Sequence, residues 1–475
     1  MPTVTVTGAD NTVLTVQMNG VTNYQVAQQF AAVINGAAGS GTLSAFNVAS
    51  GTSLPPVPAG NVGEAVILSA PSPVTIPGGY SFLTDVASTA TTVTGSASVA
   101  DSILAGTGGV TFNAGAASGL FVAGGGANVF NGLSVAGANG GTGSYAVTTG
   151  DGNDTINTGV GNDTVDAGAG ANVITLGAGA SVVTSTGVDS ITGGSGAGTV
   201  TLMGSGATVQ SGTGALTVND QGSGNFVTIG SLFGTQTVLN SNSTIFGGTN
   251  GTYSLQGATN ASVVGGGGDM VSLSDSTATV YAGSGSDTVE IFGTSPELGH
   301  PSTDLSQLTF VGSAGHSVVI GNYIPVTLTG ADGGSVQFSS QFGGSLLSVG
   351  TGAEIDARGS LGGDTFFGGS GANTIFGGVG ADTFVLGSGA TSITGESAAV
   401  GKIYDFIASN TGGATDVITD FKVSDRIGVS GYTANAAADV LKTATVSGGS
   451  TTITLSDQTR ITLQNYTTLT SGNFS

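Results

Sequence analysis

The sequence predicts an all-β chain, a parallel β-solenoid of the β-roll or β-helix kind, carrying a small N-terminal α+β domain. Three observations predict it. The first is a nonapeptide repeat: TGDGNDTIN (149–157) is followed without a gap by TGVGNDTVD, AGAGANVIT and LGAGASVVT, ending at residue 184. Each unit reads small residue, Gly, any, Gly, any, polar, any, aliphatic, any, a glycine turn alternating with a short apolar strand. The second is composition, with 87 Gly and 39% hydrophobic residues in 475 positions. Glycine at that level without a three-residue period excludes collagen, and the apolar content argues against simple disorder. The third is that the apolar residues are mostly small or β-branched, which suits thin coils better than a thick core.

Taken in order, Thr3–Thr7 alternates Val and Thr, residues 8–11 turn, and Val13–Gln17 alternates again, which predicts a hairpin. Residues 23–34 (NYQVAQQFAAVI) place Tyr24, Ala27, Phe30, Ala31 and Ile34 on one face, so a helix is predicted with Gly36 at its C-terminal cap. Pro55, Pro56 and Pro58 mark a rigid connection. Residues 1–95 are therefore expected to form an α+β domain, either a cap on the open solenoid end or an assembly module. The repeat frame is traceable from Ala105, through AGTGGVTFN, AGAASGLFV and AGGGANVFN, and returns at 264–290 as VGGGGDMVS, LSDSTATVY and AGSGSDTVE. This gives a degenerate solenoid over 96–291. Residues 292–357 hold Pro296, Pro301, Pro325 and both histidines, and are expected to be an irregular insertion or repacked coils. The cleanest block, GSLGGDTFF, GGSGANTIF, GGVGADTFV and LGSGATSIT (359–394), opens the last segment, 358–475. Val, Ile, Leu or Phe at the eighth place is expected to point inward and stack along the axis.

Charge narrows the partners. Six basic against 28 acidic residues give a net charge of −22. Phosphate binding needs Lys/Arg clusters, so nucleic acid is excluded as a partner, whereas cations are favoured. With no Cys there are no disulfides and no Cys-ligated metals. No apolar stretch approaches a membrane helix, and the N-terminus has no secretory signal-peptide pattern. No catalytic constellation stands out: His300 and His316 read as loop residues, there is no HExxH, and no GxSxG sits in a strand–helix context. The expectation is a protein that is not an enzyme.

The sixth place of the repeat carries the candidate chemistry. If one nonapeptide makes half a coil, residues 18 apart stack, so Asp269 lies over Asp287 and Asp364 over Asp382. Two stacked carboxylates with turn carbonyls offer the all-oxygen cage that a hard cation of calcium size takes. Asp154 and Asp163 fall on opposite edges, facing Asn172 and Ser181, which predicts weaker sites. Asn172 and Asn373 occupy the same place without charge, and Asp and Asn also favour turns through their own side-chain hydrogen bonds.

The block 359–394 resembles the repeats-in-toxin (RTX) family, with its GGxGxD nonapeptide. TDVITDFKVSDRIGVSGY (415–432) resembles the segment that follows RTX arrays, on Asp416, Ile418, Asp420, Phe421, Asp425 and Ile427. The tail, TTITLSDQTRITLQNYTTLTSGNFS, is similar to that family's closing hairpin and C-terminal export signal. The resemblance implies Ca2+ as the cofactor, folding triggered by calcium outside the cell, and type I export by a Gram-negative bacterium to the medium or cell surface. Most copies here lack Asp, so few ions are expected for the length. Because the chain is almost all scaffold, it resembles RTX-type surface-layer or biofilm matrix proteins. The partner expected first is itself, in a homopolymer or lattice, and then a cell-surface polysaccharide. The alternatives are an adhesin or carbohydrate-binding protein with a surface in 292–358, and, more remotely, a polysaccharide-degrading enzyme.

Overall fold

The computed structural model describes residues 2–48, 53–69, 73–96, 98–132, 143–228, 235–239, 242–258, 260–274, 276–283, 285–292, 307–312, 315–322, 325–330, 332–341, 343–396 and 401–475. The chain divides into two compact units, Met1–Ser243 and Thr244–Ser475. No helix among the described residues is long and apolar enough to cross a membrane.

The first unit opens with the expected hairpin: β1 (Thr3–Thr7) pairs antiparallel with β2 (Val13–Gln17), Val4 opposite Val16 and Val6 opposite Leu14. Asp10 and Asn11 turn the chain with φ of 54° and 58°, the left-handed region that Asn and Asp tolerate best after glycine. Helix α1 runs Val21–Gly39, longer at both ends than the apolar spacing alone predicts. Asn23 explains the early start, because its Oδ1 accepts from the Gly20 N–H at 2.8 Å and so caps a free helical donor. Gly36 lies inside the helix, and the left-handed turn falls at Gly41 (φ +73°) instead. Ala27, Phe30, Ala31 and Ile34 are buried against Val4, Val6, Val16 and Met18, and against Leu104 and Val122.

Leu104 and Val122 decide where this module sits. They alternate with Ile103 and Phe121, whose rings and methyls point into the coil, so they lie on the outer face of that sheet. The hairpin and α1 therefore cover a flank of the first coils, where the sequence suggested a cap on the open end. Parallel pairing also begins inside the segment set apart as 1–95: Leu43–Asn47 pairs with Val62–Ile67, which pairs with Tyr80–Asp85. Those coils lack the nonapeptide glycine frame and so do not announce themselves. From there two parallel sheets alternate along the chain. One contains Asp101–Ala105, Gly119–Ala123, Tyr145–Thr148, Thr164–Asp166 and Ser181–Ser185; the other contains Val110–Asn113, Val129–Asn131, Thr155–Asn157 and Val173–Thr175. Ile156 stands opposite Ile174 and Val165 opposite Val183, which makes each nonapeptide half a coil of a two-sided roll.

The second unit repeats the arrangement, with Val271 opposite Val289 in one sheet and Phe366 opposite Phe384 in the other. The described part of 292–357 continues these sheets: Gln307–Val311 pairs with Thr277–Tyr281 and with Val326–Thr329. The described strands of this segment therefore belong to coils, while His300, Pro296 and Pro301 lie outside the described residues. At the C-terminal side Thr415–Ile418 pairs in parallel with Arg460–Leu463, which forms the expected antiparallel hairpin with Ser450–Thr454.

The interior is a stack of eighth-place side chains. Ile156, Val165, Ile174 and Val183 are fully buried. In the second unit Phe366, Phe384 and Tyr404 stack face to face, with centroids 4.9 and 5.1 Å apart, and Phe421 and Tyr466 extend the column. Fourth-place glycines make the corners: Gly170 and Gly371 have φ of +110° and +112°, a region that side chains with a Cβ rarely enter.

Candidate cation-binding turns

The sixth-place side chains point into the coil, and each reaches the coil before it. Along one edge of the first unit, Asn128 Oδ1 accepts from the Val110 N–H at 3.2 Å, and Asp154 Oδ1 accepts from the Asn128 N–H at 2.7 Å. Asn172 Oδ1 then accepts from the Asp154 N–H at 2.8 Å, and Asp189 Oδ1 from the Asn172 N–H at 2.9 Å. On the opposite edge Asp163 Oδ1 accepts from the Tyr145 N–H at 2.7 Å, while its own N–H donates to Ser181 Oγ at 3.4 Å. Asp154 over Asn172 and Asp163 over Ser181 are the pairings the spacing predicts. In the second unit the Asp269 N–H donates to Asp287 Oδ1 at 2.9 Å and the Asp364 N–H to Asp382 Oδ1 at 2.9 Å. Asn373 Oδ1 accepts from the Ala353 N–H at 3.3 Å. One side-chain oxygen per coil thus closes a donor that the parallel ladder leaves over.

The second carboxylate oxygens separate these sites. Asp364 Oδ2 accepts from Ser360 Oγ at 2.6 Å, and Asp382 Oδ2 is paired with Lys402 Nζ at 2.5 Å. Asp269 Oδ2 accepts from the Gly267 N–H at 3.1 Å, and Asp163 Oδ2 from the Gly159 N–H at 3.2 Å. Asp287 Oδ2 and Asp154 Oδ2 are buried without a hydrogen bond of ordinary geometry, although the Gly283 amide and the Thr149 hydroxyl lie near them. A buried, under-satisfied carboxylate oxygen is costly, and a cation would offset the cost. Among the described residues no three His, Asp or Glu side chains converge to hold a metal. Any cage here is built from at most two carboxylates completed by carbonyls of the glycine turns, a donor set that fits a hard divalent ion.

The model of the family described as RTX calcium-binding nonapeptide repeat (4 copies) matches residues 148–183 and 358–393. These are RTX repeats. The matched stretches hold Asp154, Asp163, Asn172, Asp364, Asn373 and Asp382. Asp269 and Asp287 lie beyond them in coils of the same build. No curated protein matches the chain. The residues that RTX spacing alone does not reveal are Asp189, Asp416, Asp425 and Lys402. Asp189 sits 17 residues after Asn172, and its Oδ1 accepts from the Asn172 N–H in the same ladder, so a one-residue deletion hides it from a strict nine-residue frame. Asp416 Oδ1 accepts from the Thr391 N–H and Asp425 Oδ1 from the Lys402 N–H, both at 2.9 Å. The acidic residues of the segment after the array thus continue the rungs of the repeats.

Burial raises the pKa of Asp154, Asp163, Asp287 and Asp364 above the ordinary carboxylate range. It lifts Asp382 to about 6 against the pull of Lys402. It lifts Asp101 and Asp416 to about 7 and Glu64, which accepts from Thr84 Oγ1, also to about 7. A carboxyl whose folded pKa exceeds its unfolded value stabilises the fold fully below the unfolded pKa, and that contribution disappears as pH rises through the folded one. In chelator, the melting temperature is therefore expected to fall as pH is raised from about 4 to about 7. Asp416→Asn and Asp101→Asn should flatten the profile of their own unit; thermal melts at a series of pH values check this.

Proposed function

We propose that this protein is a secreted, calcium-dependent β-solenoid that assembles with copies of itself in an extracellular layer, fibre or biofilm matrix. The observation that carries the reading is the use of the described chain. Apart from one hairpin, three helices and the closing strands, it is spent on two-sheeted coils whose carboxylates point into turns. The chemistry is thereby directed at holding coils together. The outer faces present exposed apolar side chains, Val173 and Val182 on the two sheets of the first unit and Leu346 and Phe367 on one sheet of the second, which can serve lateral contacts. Negative-stain microscopy of the purified protein with and without calcium tests the assembly: ordered arrays or fibres are expected with calcium. Monodisperse particles in both conditions would overturn it.

Lateral contact is favoured over strand addition at β1. The Met18 N–H donates to Pro2 O and the Gly8 N–H to Thr12 O, so even-numbered residues of β1 face β2 and odd-numbered ones face outward. That outer edge is occupied by Asn35 of α1: its Oδ1 accepts from the Thr7 N–H at 2.8 Å, and its Nδ2 donates to Thr5 O at 3.0 Å. Covering a sheet edge prevents unwanted pairing. Asn35→Ala should therefore increase association, seen as faster-sedimenting species in analytical ultracentrifugation. An unchanged distribution would mean that the Thr5 and Thr7 groups do not limit assembly.

A second reading, carbohydrate binding, is favoured by Tyr281, 43% exposed in a groove with Ser262, Thr277, Thr279 and Thr309. An exposed ring among hydroxyls suits stacking on a sugar. Glycan-array binding that Tyr281→Ala abolishes, without self-assembly, would support that reading.

A further inference from the structure

Of the six basic residues in the chain, Lys402 is the one that is buried, with its side chain 3% exposed. Its Nζ lies 2.7 Å from Gly378 O, 2.5 Å from Gly380 O and 2.5 Å from Asp382 Oδ2. An ammonium has three donors and no acceptor, so all three are used. Gly378, Gly380 and Asp382 are the second, fourth and sixth places of one nonapeptide. Two turn carbonyls and the sixth-place carboxylate are the oxygens that the cage for a hard cation would take from that coil, and here they enclose an ammonium.

The position of Lys402 in the sequence sharpens the point. Thr383 pairs with Ile403, so Lys402 stands directly after Asp382 on the ladder, in the place where Asp382 follows Asp364. Its own N–H donates to Asp425 Oδ1 at 2.9 Å, as the N–H of a sixth-place residue does. The edge therefore reads Asp364, Asp382, Lys402, Asp425. Replacing a carboxylate by an ammonium changes the charge by two units, the charge of one divalent ion. Between Asp364 and Asp382 two negative groups face each other; between Asp382 and Lys402 the rung is neutral as built.

We propose that Lys402 is a covalently tethered substitute for calcium in the turn of residues 377–382, so that this rung closes without metal and fixes the C-terminal end of the repeats. The proposal rests on the calcium reading only for the contrast with the other turns. A tethered cation has no dissociation equilibrium with the medium, so the rung persists when calcium is absent. The column of Phe384, Tyr404 and Phe421 packs directly behind it. The remaining coils then have a preformed end on which to add.

Hydrogen exchange of the full-length chain, in EDTA and in millimolar calcium, tests the assignment. Amides of Thr383–Val385 and Ile403–Ile407 are expected to be protected in EDTA, and to change less than about threefold with calcium. Those of Met270–Ser274 and Thr288–Phe292 should slow by a hundredfold or more when calcium is added. Lys402→Met should lose the protection of Ile403–Ile407 in both media. Lys402→Asp should lose it in EDTA, regain it with calcium, and bind one more calcium per chain than the parent by equilibrium dialysis. The assignment is overturned if the two wild-type strands around Lys402 are unprotected in EDTA, if Lys402→Met keeps their protection, or if Lys402→Asp binds no additional ion. If no strand in the parent responds to calcium, the calcium reading fails, and the EDTA protection with its loss in Lys402→Met still decides the role of Lys402.

Discussion

Removing calcium is expected to unfold the coils around Asp269 and Asp287, and restoring it should refold them. Asp287 Oδ2 is buried without an ordinary hydrogen bond, and Asp269 lies one coil away along the same edge. Without a cation, the two carboxylates repel at short range, and glycine-rich turns lose a large conformational entropy on ordering. Where a binding site exists only in the folded chain, binding energy becomes folding energy. One ion at a hundred times its dissociation constant adds about 2.7 kcal/mol, and several such sites add to one another. Circular dichroism during EDTA titration and calcium return reads the transition directly. Asp287→Ala should raise the calcium midpoint by tenfold or more, whereas Asn373→Ala, which removes no charge, should shift it little. A β-spectrum unaffected by EDTA would refute calcium-coupled folding.

The second large effect is expected from the aromatic column. Phe384 is fully buried between Phe366 and Tyr404 at 4.9 and 5.1 Å. The stacked coils above and below fix its neighbours, so the site cannot collapse. Phe384→Ala should destabilise the second unit by about 3–5 kcal/mol, the range for truncating a buried ring. Phe367, its neighbour in register with Val385, points outward and is 38% exposed. Phe367→Ala should therefore change stability by no more than about 0.5 kcal/mol. Chemical denaturation in calcium, followed for both variants, checks the contrast. Equal losses would mean that the column is not the core of this unit.

Where the repeat is clean, the sequence is a direct guide to the structure. The nine-residue frame predicted the two-sided coil, the 18-residue stacking of Asp269 on Asp287 and of Asp364 on Asp382, and the inward eighth place. It did so because a solenoid makes neighbours in space from fixed intervals in sequence. Illegibility arises where that interval slips. Asp189 is displaced by one deleted residue, and the first coils, from Leu43, lack the glycine frame. The closing coils space Thr391 and Asp416 by 25 residues, although Asp416 does the same work as a sixth-place aspartate. The seat of α1 was hidden for another reason. Its apolar face is plain in the sequence, but Leu104 and Val122, which it covers, look like any other strand residues until alternation assigns them to the outside. Nothing in the sequence singles out Lys402; the register alone places it on the ladder.

The polar ladder has a direction. In the rungs from Asn128 to Asp189, and again from Asp269 to Asp287 and from Asp364 to Asp382, the amide belongs to the earlier coil and the accepting oxygen to the later one. A coil therefore cannot satisfy its own spare donor; it waits for the residue that follows it. A chain delivered with its C-terminal part first always adds a coil to a surface where that oxygen is already in place. A chain delivered in the opposite order presents the spare N–H at the growing tip, and the next coil brings the oxygen to it. The two tips of a partly assembled roll are thus chemically unequal: one offers side-chain oxygens and the other backbone N–H groups.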